Sequence, residues 1–70
     1  AMSSNIIAQL EPGNIDMLTR LIEAFDHLGI VSTLDRTEGL VVIRGTEDTV
    51  PDLLDILHNL PFPLTILSQE

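Results

Sequence analysis

Apolar and polar residues alternate over residues 5–10 (NIIAQL), which predicts a strand with Ile6, Ala8 and Leu10 on one side. Glu11-Pro12-Gly13 breaks that alternation, because proline has no N–H for a ladder and glycine accepts backbone angles closed to other residues. The period then lengthens. Ile15, Leu18, Leu21, Ile22, Phe25 and Leu28 recur at helical spacing, while Asp16, Arg20, Glu23 and His27 fall between them. A helix is predicted over 15–28, with Asn14 as N-cap, Asp16 facing the positive helix end and Gly29 as the stop.

Alternation returns over 30–35 and 40–44, separated by Arg36-Thr37-Glu38-Gly39, and predicts a hairpin. An even-length turn would place Ile30, Ser32 and Leu34 on the same side as Val41 and Ile43. A second helix is expected after Gly45, capped by Thr46 or Thr49, with Val50, Leu53, Leu54, Leu57 and Leu60 as its apolar stripe. Pro51 is tolerable there because it comes before a regular helical hydrogen bond is lost. Pro61-Phe62-Pro63 ends the helix, and 64–68 reads as the last strand.

The order βαββαβ with right-handed crossovers predicts a ferredoxin-like α+β sandwich. Its four-stranded antiparallel sheet would have strand order 4-1-3-2, with both helices on one face. The chain reads as one domain over 1–70, with Ala1, preceding Met2, a cloning remnant.

Two helices cover only one side of such a sheet. The uncovered side is expected to carry Ile7, Gln9, Val31, Thr33, Asp35, Leu40, Val42, Arg44, Thr65 and Leu67. Half of these are apolar, more than a solvated sheet face normally shows. Association through Ile7, Val31, Thr33, Leu40, Val42, Arg44 and Leu67 is therefore expected, either face to face or along an edge strand.

Charge narrows the partners. Eleven acids face three bases, Arg20, Arg36 and Arg44, for a formal net charge of −8. Such a chain repels nucleic acid and anionic lipid. With no cysteine there is no disulfide, thiolate catalysis or thiolate metal site. A disulfide-free domain this small, without a signal peptide or a membrane-length apolar run, is expected in the cytoplasm.

Little catalytic chemistry is visible. His27 and His58 both close helices, where imidazolium complements the negative end, and they are not spaced as a metal pair. Glu47, Asp48, Asp52 and Asp55 lack the pattern of a calcium loop. Asp35 and Arg44 are expected to pair across the hairpin. No nucleophile–base pair is apparent, so the chain is expected to be non-catalytic, with no cofactor or metal. Glu11-Pro12-Gly13-Asn14 offers free backbone N–H groups at a helix start, which suit a small anion such as a carboxylate.

Pro12-Gly13, the leucine-bearing helix after it and Gly29-Ile30 opening the next strand together resemble the ACT domain. That resemblance implies a regulatory module that forms a homodimer and binds a small amino-acid-like ligand through Pro12, Gly13, Asn14 and Ile15. Leu21-Ile22-Glu23-Ala24-Phe25, Thr33-Leu34-Asp35-Arg36, Glu38-Gly39-Leu40-Val41 and Asp52 to Leu57 (DLLDIL) resemble a small bacterial domain-of-unknown-function family, 4911-like. This second resemblance implies the same fold and a bacterial source, and no activity. A protein-interaction or assembly module using the open sheet face, with no small ligand, is the alternative.

Overall fold

The computed structural model describes residues 3–25 and 28–69. Strand β1 (Ser3–Leu10) leads through a 3-10 turn (Pro12–Asn14) into helix α1 (Ile15–Glu23). Strands β2 (Ile30–Asp35) and β3 (Leu40–Thr46) form a hairpin, followed by helix α2 (Val50–His58) and strand β4 (Leu64–Gln69). The sheet is antiparallel throughout, in the order β2-β3-β1-β4. This is the ferredoxin-like βαββαβ arrangement that the order of apolar patterns predicts.

One side of the sheet and both helices make the core. Ile6, Ala8 and Leu10 of β1 and Val41 and Ile43 of β3 meet Ile15, Leu18 and Ile22 of α1 and Leu53 and Leu57 of α2. In the antiparallel register Ile6 stands opposite Ile43 and Ala8 opposite Val41, so these residues share a face.

Helix α1 stops at Glu23, five residues short of the predicted end. Nine residues at about 1.5 Å each make about 14 Å of helix, which matches the span of β1 from Ile6 to Leu10 at about 3.4 Å per residue. The Phe25 N–H donates to the Ile22 carbonyl at 3.2 Å, a tightened i→i−3 closure. Phe25, predicted to be core, is consequently 49% exposed. His27 lies outside the described residues.

The second departure concerns which way β2 faces. Asp35 pairs with Leu40, as an even-length turn requires, but the register then shifts by one residue between Thr33 and Asp35. Leu34 is the extra residue of this bulge. Beyond it Thr33 pairs with Val41 and Val31 with Ile43, so both turn toward the helices. Ile30 (opposite Arg44) and Ser32 (opposite Val42) turn outward. A slip of one residue exchanges the two faces of a strand, which reverses the predicted placement of Val31 and Thr33 and of Ile30 and Ser32.

The hairpin end is tightly specified. Asp35 Oδ1 accepts the N–H groups of Thr37 at 3.0 Å and Glu38 at 3.1 Å. Gly39 follows at φ 72°, and its carbonyl accepts the Leu10 N–H at 3.0 Å. A side chain at Gly39 would overlap the Leu10 carbonyl oxygen. The predicted Asp35–Arg44 pair does not form: Asp35 caps the turn, while Arg44 sits near the far end of β3 opposite Ile30 and Asn5.

Candidate functional site

The uncovered side of the sheet is ordered in rows. Ile30, Arg44 and Asn5 make the first, and Ser32, Val42, Ile7 and Ser68 the second. Leu40, Gln9 and Thr65 make the third, which ends at Asp35. Val42 lies at the centre and is only 6% exposed, although no helix covers it. Its neighbours shield it: Ser32 and Ile7 flank it across the ladder, and Leu40 and Arg44 precede and follow it along β3.

Two leucines frame this surface. In β4, Ile66 pairs with Ala8 and Ser68 with Ile7, so Leu67 is the extra residue of a second bulge. Leu34 of β2 and Leu67 of β4 thus occupy the same kind of position, one on each edge strand. By alternation both project on the uncovered side, 55% and 50% exposed. Ile30, at the start of β2, is 62% exposed.

Of the association residues expected from the pattern, Ile7, Leu40, Val42, Arg44 and Leu67 fall on this face, while Val31 and Thr33 do not. Val31 packs on the core instead. Ile30, Ser32 and Leu34 take their places. The signal that could have found them is the turn: an aspartate followed four residues later by a left-handed glycine marks a capped turn, beside which a bulge can sit.

The charges avoid this surface. The acids of the described residues sit on the helices (Asp16, Glu23, Asp52, Asp55), in the connections (Glu11, Glu38, Glu47, Asp48) and at the capped turn. Only Asp35 touches the edge of the sheet face, and its carboxylate is held by the hairpin N–H groups. Arg44 is the one charged side chain in the interior rows.

In the turn before α1, part of the backbone expected to meet a small anion is already engaged. The Asn14 N–H donates to the Glu11 carbonyl at 2.8 Å, and the Ile15 N–H donates to the Pro12 carbonyl. Two of the N–H groups expected to be free are therefore used by the turn itself. Ile15 is a core residue, and a Cβ on Gly13 would meet open space. Pro12 instead borders a cleft of about 440 Å³ between the turn, the hairpin tip and the start of β4. Its polar walls include Gln9, Glu11, Glu38 and Thr65, and Gly13, Asn14 and Ile15 do not line it.

His58 is exposed in the last turn of α2. Among the described residues no group of three or more His, Asp or Glu is placed to hold a metal ion. Among the same residues no helix is long and apolar enough to cross a membrane.

The model of one family, described as a domain of unknown function (DUF4911), matches residues 8–63. The chain belongs to the DUF4911 family. The match runs from Ala8 in β1 to Pro63, the residue before β4, so it takes in both helices and the whole β2–β3 hairpin. Neither the curated proteins nor the solved structures compared with this DUF4911 chain gave a match.

Proposed function

We propose that this domain is a non-catalytic association module whose uncovered sheet face stacks on that of a second copy. The observation that carries the reading is the orientation of β2. Of its two alternating sets, the more apolar one (Ile30, Leu34) points away from the helices. Strand preference explains β-branched residues on either face, but not two half-exposed leucines raised on bulges.

Charge supports a face rather than any other surface. Two copies at −8 each repel, and association is least opposed where both surfaces lack carboxylates. The bulges support a face rather than an edge, because an unpaired extra residue breaks the row of donors and acceptors that an added strand would need.

The test is mass in solution over a dilution series, for the native chain and for Ile30→Asp/Leu67→Asp. Both substituted residues are half-exposed or more, so the fold should persist by circular dichroism while the dimer is lost. A native chain that is monomeric throughout, or a double variant that still dimerises, overturns the reading.

A second reading rests on the cleft beside Pro12. Its two carboxylates suit an amine better than an acid, so an amino-acid-like ligand would enter ammonium first. Raised melting temperature with one amine-bearing metabolite, abolished by Glu11→Gln/Glu38→Gln, supports it, and no shift across a panel of such compounds removes it.

A further inference from the structure

The helical layer carries a separate surface. Leu21 of α1 and Phe25, two residues beyond its end, stand on one side, and Ile56 of α2 and Leu60, two residues beyond its end, stand on the other. Between these ridges lie two adjoining hollows of about 360 and 400 Å³, which share Phe25, Asp55 and Ile56. Phe25 is held at their junction because α1 ends too early to draw it into the core. Leu28 closes one end and Pro61 the other.

Among the described residues, the charged side chains lining this groove have a single sign. Asp52 and Asp55, three residues apart on α2, both line it, and none of the three arginines does. Asp55 lies in the last turn of its helix, where the helix dipole disfavours a carboxylate, and the Asn59 amide donates to its carbonyl at 2.8 Å and reaches its carboxylate at 3.5 Å. An apolar floor with an acidic rim is complementary to a basic amphipathic segment.

We propose that the α1/α2 groove docks a basic amphipathic helix of a different protein, with aliphatic side chains on Phe25 and Ile56 and lysine or arginine beside Asp52 and Asp55. A second copy of this chain does not fit: its arginines are isolated at positions 20, 36 and 44, and its own helices are acidic. Polyanions and anionic lipid surfaces are repelled by the same rim. The proposal does not depend on the sheet face, which lies on the opposite side of the sheet.

The probe is a synthetic lysine–leucine amphipathic peptide of about fifteen residues, long enough to form a helix, with a glutamate–leucine peptide as control. Titrated into labelled protein, the lysine peptide should move the amide resonances of Leu21, Phe25, Ile56 and Leu60, and the glutamate peptide should move none. Phe25→Ser should weaken binding about tenfold, as loss of a central aromatic anchor does. Asp52→Asn/Asp55→Asn should weaken it by about the same factor, and Glu47→Gln/Asp48→Gln, an equal change of net charge, by less than about twofold. Equal weakening by the two charge pairs would mean unspecific attraction to an acidic protein and would overturn the proposal. So would absence of binding, or shifts centred on Ile7 and Leu40. Mass measured in parallel keeps this result separate from self-association.

Discussion

The two faces of the sheet are built from the same kinds of residue and meet different fates. On the helix side Ile6, Ala8, Val41 and Ile43 are sealed from solvent. On the other side Ile30, Leu34 and Leu67 keep half or more of their surface in water, while Val42 between them is nearly as buried as the core. The helices therefore account for one apolar face and leave a second without a cover. Apolar patterning records that a surface is to be buried; it does not record whether the same chain does the burying.

That contrast can be broken from its buried side first. Leu53→Ala empties a fully buried site between α2 and the sheet and should cost about 3 kcal/mol, whereas Leu67→Ala should cost a monomer less than about 1 kcal/mol. Chemical denaturation of both variants at low concentration checks the difference. Gly39→Ala should cost about 2 kcal/mol or more, because the new Cβ meets the Leu10 carbonyl at a left-handed backbone position.

Deleting Leu34 sharpens the comparison. Without the extra residue, β2 pairs with β3 in unbroken register, Asp35 opposite Leu40 and Thr33 opposite Val41, so Ile30 and Ser32 should keep facing away from the helices at a cost of about 1 kcal/mol. Cross-strand amide contacts read the register directly: Ile30 should keep its place opposite Arg44, and its loss would mean that the extra residue does not set the facing of β2. Asp35→Ala removes two hydrogen bonds to the turn and should cost about 1 kcal/mol, measurable as a lowered melting temperature with the register unchanged. The smallest effect is ionic. Salt should tighten self-association by a few-fold, since screening weakens the repulsion between two acidic copies. Association weakened by salt would mean that ion pairs, and not the apolar face, hold the copies together.

Much of this fold is legible in the residues. The buried stripe at Ile15, Leu18 and Ile22, the glycine and proline punctuation and the bounds of β2 follow from periodicity and turn chemistry alone. The end of α1 is not legible, because Phe25 continues the helical period while the chain turns there through an i→i−3 bond to Ile22 that no periodicity marks. Nor is the facing of β2: Ile30-Ser32-Leu34 looks more like a core set than Val31-Thr33-Asp35, and choosing the more apolar set gives the wrong side. The turn cap at Asp35 decided the matter through a bulge that no alternation pattern contains. At the candidate site the β1 and β3 residues were readable and the β2 residues were not, for the same reason. At the expected anion site, Pro12 to Ile15, the turn's own carbonyls take the Asn14 and Ile15 N–H groups, an engagement that residue types alone do not reveal.

The paired bulges at Leu34 and Leu67 have a consequence for the size of any assembly. Each interrupts one outer margin of the sheet, so neither margin can recruit strand after strand into a growing ribbon. Each chain also has only one uncovered sheet face, and a twofold partner uses it completely. Under the proposed face-to-face association, growth through the sheet would halt at a pair, and fibre formation would require an outer strand to lose its extra residue.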